Sequence, residues 1–149
     1  MAKGEYWTHG DAQTVSTAIT ILELTAPSTA IEILTRWWIN QSSVTTSTAT
    51  RGRLLRKTAT VTGTASPPTP APRGADAASG ATVKWIATAE GTDGTVVDED
   101  GFNYLNGWLI IPGEPEQVIV PPSGIVALKF PAAPTSASWT FGMAHREVG

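Results

Sequence analysis

The chain has no cysteine among its 149 residues. Disulfide bridges, thiol nucleophiles and Cys-based zinc sites are therefore excluded together. Charge is also scarce. Asp, Glu, Lys and Arg make up 15% of the sequence, against about 25% in an ordinary soluble domain. The net charge is −3 and the pI is near 5.3, which gives no bulk electrostatic case for a nucleic-acid partner. No stretch approaches the roughly 18 apolar residues of a membrane span, and MAKGEYWTHG lacks the apolar segment of a secretion signal. The expectation is a soluble chain, made in a cytoplasm, with no membrane partner. His9 and His145 are the only histidines, so no HxH or HxxxH pair can hold a metal. A Gly-x-Ser-x-Gly nucleophile turn and a Gly-rich phosphate loop are missing too. Neither enzyme chemistry nor a cofactor is expected.

Thr, Ser, Ala and Val fill the place of the charges, along with 14 Gly and 11 Pro. Tyr104 to Val148 reads YLNGWLIIPG, EQVIVPPSG, IVALKFPAAP and SASWTFGMAHREV. Each piece is about strand length and is closed by Pro or Gly, which cannot extend a sheet ladder or which supply its turn. Upstream, residues 15–24 and 30–40 alternate, and 51–61 and 81–90 read as further strands. In 30–40 the pattern places Ile31, Ile33, Trp37 and Ile39 toward a core, with Glu32, Leu34, Arg36 and Trp38 outward. The expected fold is all-β, an antiparallel sandwich of jelly-roll type with about eight strands. At this length one domain buries roughly 70% of its unfolded surface. The expected division is an extended arm over 1–13 and a single domain over 14–149, with a Pro/Ala-rich surface loop at 62–80. Residues 91–103 read as an acidic loop.

Several residues are candidates for contact. Tyr6 and Trp7 are adjacent aromatics in the arm, which either folds back on its own domain or docks on a neighbour. Trp38 points outward. Pro67, Pro68, Pro70 and Pro72 stiffen the long loop, which suits lying on a neighbouring subunit. Of the six tryptophans, Trp37, Trp85 and Trp139 are expected in the core, while Trp7, Trp38 and Trp108 are open. Asp93, Asp98, Glu99 and Asp100 share one Gly-containing stretch, and Asp98 and Asp100 are its weak candidates for a hard cation; the spacing does not match an EF-hand. Glu114 and Glu116 flank Pro115 in a solvent-exposed turn, which offers no pocket for acid–base work. RGRLLRK, residues 51–57, is the basic cluster, expected on a solvated strand face or against an acidic partner.

The segments TAPSTAIEILTRWWIN and RGRLLRKTATVTGTA, the Pro/Ala loop and the ending WLIIPGEPEQVIVPPSGIVALKFPAAPTSASWTFGMAHREV together resemble the small jelly-roll head decoration (cement) proteins of tailed bacteriophages. The likeness is one of pattern and order and covers most of the chain after about Ala18. It implies a homotrimer on the outer surface of the expanded phage head, in the virion, bridging subunits of the major capsid protein. On that resemblance the partners are the capsid protein and further copies of this chain. The alternative from another class is a carbohydrate-binding jelly roll, or a tail or baseplate component gripping host glycans through Trp38 or Trp108.

Overall fold

β-Branched and aromatic residues recur at alternate positions, which favours extended chain with one face to bury. The computed structural model describes residues 2–43, 47–64, 69–74 and 77–149. It is all-β, with two antiparallel sheets packed face to face. The first sheet runs in the order β5 (Ala71–Pro72), β1 (Ala2–Val15), β11 (Ala137–Val148), β3 (Ile31–Gln41); its far edge is shared by β8 (Trp108–Ile110) and β9 (Val118–Val120), which both pair with β3. The second sheet runs β6 (Thr82–Trp85), β2 (Thr20–Thr25), β10 (Ile125–Lys129), β4 (Ala49–Lys57), β7 (Asp93–Asn103). Between β1 and β4, and again between β10 and β11, each connection crosses from one sheet to the other. No helix among the described residues is long and apolar enough to cross a membrane.

Leu22, Leu24, Leu54 and Leu128 from the second sheet meet Leu34, Ile39, Phe141 and Met143 from the first. Trp139 lies among Tyr104, Phe130 and Phe102, with ring centroids 4.8, 4.9 and 6.3 Å away. Such pairs add about 0.5–1.5 kcal/mol each beyond the area they bury. Trp37 and Trp139 are core residues as expected, and Trp108 joins them, whereas Trp85 is half-buried at the core's edge.

Four expectations are corrected. The segment expected as an arm is a strand of 14 residues, pairing with β11 over most of its length. In β3 the alternation changes phase at Thr35, an extra residue between the pairs Ala144–Arg36 and His145–Leu34. A bulge of this kind turns every side chain beyond it to the other face. Glu32 and Leu34 therefore point inward with Trp37 and Ile39, and Ile31 and Ile33 are only half-buried. The acidic stretch expected as a loop is the edge strand β7. Within 62–80, Ala71–Pro72 forms the short strand β5 against Tyr6 and Trp7.

Candidate functional site

Strand alternation sets two faces on the first sheet. Tyr6, Thr8 and Gly10 of β1 point inward, and Glu5, Trp7 and His9 point outward. On the outer side Trp7 pairs with Ala144 of β11, which pairs in turn with Arg36 of β3; next to them Gly142 pairs with Trp38. The two β11 residues between the aromatic strands are thus the smallest available. A Cβ at Gly142 would lie 2.2 Å from the Trp38 ring, so the ring occupies the space a side chain there would need. Trp7 and Trp38 consequently approach to 5.5 Å between centroids at a tilt of 53°.

Two guanidinium groups rest on Trp7, Arg36 at 5.1 Å and Arg73 at 4.0 Å from its ring. Arg73 is delivered by the β5 pairing, where its backbone N–H donates to Glu5 O at 2.8 Å. Cation–π contacts at partly exposed sites contribute on the order of 0.5–1 kcal/mol each. Trp7, Arg36, Trp38, Asn40 and Leu109 line a shallow depression of about 220 Å³. Leu109 is 55% exposed and Ile119, on the same outer face, is 54% exposed. The face therefore joins aromatic rings, cations and uncovered aliphatic side chains.

Around the edge of the sandwich lies a second depression of about 410 Å³. Its lining includes Val97 and Asp98 of β7, Leu109 again, Ile111 just beyond β8, and Glu116. Ile111 is 59% exposed. Glu116 belongs to a single 3-10 turn, Glu114–Glu116, with Pro115 near its start. Among the described residues neither Asp98 nor Glu116 has an ion pair or a side-chain hydrogen bond.

Two other carboxylates of β7, Asp93 and Glu99, are satisfied internally by cations of the basic cluster. Glu99 bonds Arg53 and also Arg51, the latter at 3.1 Å. The Arg53 hydrogen bond holds the Glu99 carboxyl below its ordinary value. The buried Lys57 ammonium lies 2.7 Å from Asp93 and 3.1 Å from Glu90, and Lys129 lies 2.7 Å from Asp93. Burial pushes Lys57 down, but its hydrogen bonds to Asp93 and Glu90 outweigh that and leave it raised. Burial pushes Glu90 and Asp93 up; hydrogen bonds from Thr20 and Lys57 to Glu90, and from Lys129 and Lys57 to Asp93, leave both lowered. The acidic surface sought for residues 51–57 is thus the chain's own β7, at least in part.

The remaining candidates separate. Trp7 and Trp38 come together on the outer face. Tyr6 does not join them: it is fully buried, stacks on His145 at 5.6 Å, and donates its hydroxyl to Ala77 O at 2.8 Å. Pro72 is exposed beside Tyr6 in β5, Pro70 is buried, and Pro67 and Pro68 lie outside the described residues. Asp98 and Asp100 share a face of β7, and no group of three metal-ligating side chains occurs among the described residues. Asp100 accepts the Gly101 N–H at 2.8 Å. Sequence reasoning missed Leu109 and Arg73. In the three-residue strand Trp-Leu-Ile, alternation has too little length to show which side chain turns out, and Arg73 reaches Trp7 only through the β5 pairing.

No protein-family model matches the chain, and no curated protein or solved structure matches it either.

Proposed function

We propose that this is an assembly protein that works by docking, a head decoration subunit of a tailed bacteriophage that binds the outer surface of the expanded capsid. The observation that carries the reading is the outer face of the first sheet. There Trp7, Trp38, Arg36 and Arg73 lie beside exposed Leu109 and Ile119. Trp and Arg are the residue types that dominate binding energy at protein interfaces. The strand order also supports it. β1-β11-β3-β8/β9 against β2-β10-β4-β7 is the wiring we read as a jelly roll, with β5 and β6 added at the edges. That is the fold the resemblance implies.

The function follows from mass action. A subunit that binds only the expanded shell stabilises it by RT ln(1 + [L]/Kd), about 2.7 kcal/mol per site at a hundredfold excess over Kd. Self-association into a trimer, which the resemblance implies, would multiply weak contacts with neighbouring capsid subunits. The test is composition. Purified heads of the phage that encodes the chain should carry it in a copy number near that of the major capsid protein. A few copies per particle, or none, would remove it from the head surface.

A glycan-binding reading draws on the same Trp38 and the depression beside Asn40. It is second because Arg73 already lies over the Trp7 ring, and because sugar stacking gives no role to uncovered Leu109, Ile111 and Ile119. Glycan-array binding that disappears in Trp38→Ala would reverse the order.

A further inference from the structure

β7 forms one edge of the second sheet, with β4 as its neighbour in that sheet. The opposite edge of the sheet is covered. There Thr64 N–H donates to Trp85 O of β6 at 3.0 Å, and Lys84 Nζ donates to Val61 O at 2.8 Å. Among the described residues, no backbone hydrogen bond reaches the free side of β7 between Asp98 and Phe102. Over that stretch β7 pairs with β4 without a break, and Val97 just before it is an extra residue between the pairs Leu54–Asp98 and Leu55–Val96. Tyr104 N–H donates to Thr48 O at 2.9 Å. By alternation the N–H groups of Asp98, Asp100 and Phe102 then face β4, and those of Glu99 and Gly101 face away from it.

This edge opens onto the 410 Å³ depression. Asp98 and Asp100 share a face of β7 with Phe102, which is buried in the core, so that face looks into the seam between the two sheets. Val97 and Ile111 give the seam an aliphatic lining, and Asp98 and Glu116 give it charge. We propose that β7 is a docking edge for an extended segment of another protein, which adds as a strand beside residues 98–103 and turns aliphatic and basic side chains into the seam. In strand addition the main-chain hydrogen bonds supply affinity and the pockets for alternate side chains supply specificity. β7 offers both, over a length of about 20 Å.

Charge complementarity selects the occupant. Asp98 and Glu116 have no donor among the described residues, and the Asp100 carboxylate accepts only the neighbouring Gly101 N–H. Arg51 and Arg53 are engaged by Glu99 on the other face of β7. A second β7 placed edge to edge would set carboxylates against carboxylates, which destabilises a strand pair. A strand with Arg or Lys at its inward positions brings a charged donor to each of them. The chain's own basic and aliphatic segment, RGRLLRK, is already β4, so the added strand comes from another protein. Trp7, Trp38, Arg36 and Arg73 take no part, and the outer face of the first sheet stays free for its own partner.

The full chain tests this against a fluorescent, end-capped nonapeptide in which threonine alternates with valine and arginine. Saturable binding tighter than about 1 mM is expected by anisotropy. The same peptide with glutamate in place of arginine should bind roughly tenfold more weakly or worse, and Asp98→Lys with Glu116→Lys should weaken the arginine peptide as much. An N-methylated arginine peptide keeps the charge but loses the ladder donors, and should not bind. Amide exchange at Glu99 and Gly101 should slow roughly tenfold or more when the arginine peptide saturates the chain. Trp38→Ala, which alters the outer face, should bind it as the wild type does.

No binding by about 1 mM, equal affinity for the glutamate peptide, or full affinity for the N-methylated one would each overturn the inference. An unchanged dissociation constant in a folded Asp98→Lys, Glu116→Lys chain would do so too; where that variant unfolds, the three peptides on the wild type decide alone. Protection of Glu99 and Gly101 that rises with protein concentration and no peptide would make the occupant a second copy and overturn the choice made here. Loss of peptide binding in Trp38→Ala would overturn the separation of the two surfaces. Failure of every peptide leaves the docking reading of the outer face standing, and a chain absent from heads that still binds the arginine peptide does the reverse.

Discussion

Glu32 and His145 face each other inside the sandwich, Oε2 to Nδ1 at 2.6 Å, with both side chains fully buried. They come from adjacent strands, β3 and β11, and Tyr6 of β1 stacks on the imidazole. The contact thus ties three neighbouring strands at a point where the first sheet has polar rather than apolar filling. A buried polar pair is costly to split, because the partner left behind has lost its hydration and gained nothing. His145→Leu is expected to destabilise by about 3–5 kcal/mol. Replacing both residues by Leu should recover most of that loss. Urea denaturation of the two variants decides it; a single variant within about 0.5 kcal/mol of wild type would show that the pair is not the constraint it looks to be.

The network at the base of β7 makes stability depend on pH at both ends. Glu90 and Asp93 have folded pKa values below their ordinary 4.5 and 3.8. Their contribution is present above those values and is lost as pH falls through the folded ones, where the unfolded chain binds more protons. Lys57 has a folded pKa above its ordinary 10.5. Its contribution is present below that value and is lost as pH rises through the folded one. Thermal melts from pH 2 to 7 should therefore show an acid limb that flattens in Glu90→Gln with Asp93→Asn. An acid limb of unchanged steepness in the double variant would contradict the assignment.

Gly91 is required for space. A Cβ there would sit 2.0 Å from Ala59 O and 2.7 Å from Thr60 backbone atoms, which cannot swing aside as a side-chain tip can. At Gly113 the nearest atom is Pro115 Cδ at 3.9 Å, ordinary contact. Gly91→Ala is expected to destabilise by roughly 2 kcal/mol or more, as overpacking against fixed backbone does, with Gly113→Ala near neutral. Equal melting temperatures for the two variants would refute the contrast.

The all-β class and most strand positions could be read from alternation and from Pro and Gly punctuation, because both act through nearest neighbours. What escaped depends on residues distant in sequence. β1 looked unlike a strand because its inward positions include Thr8 and Gly10, which are small to admit larger partners: Gly10 pairs with Phe141, and a Cβ there would lie 2.6 Å from that ring. β7 looked like a solvated acidic loop because the neutralising cations are in β4, more than thirty residues earlier. The inward turn of Glu32 depends on one bulge residue, Thr35, whose presence shows only in pairing with β11. Trp7 and Trp38 were legible as contact candidates by type and alternation. Their meeting over Gly142 was not.

That meeting makes Trp38 the most direct probe of the outer face. Its ring is half-buried over Gly142 and against Trp7, so removing it takes little from the core. Trp38→Ala should cost about 1 kcal/mol of stability, within the ordinary range for a single substitution. If the face binds the capsid, the same change removes a central anchor, and hot-spot losses of about 2 kcal/mol or more correspond to roughly thirtyfold weaker binding. Lys84→Ala is the control. Its ammonium donates to Thr60 Oγ1 and Val61 O at 2.8 Å from β6 of the second sheet, so head binding should change little. The measurement is occupancy of expanded heads at increasing protein concentration. A folded Trp38→Ala protein that saturates heads at the wild-type concentration would move the contact off this face, most directly to the β7 edge, where Val96 is 45% exposed.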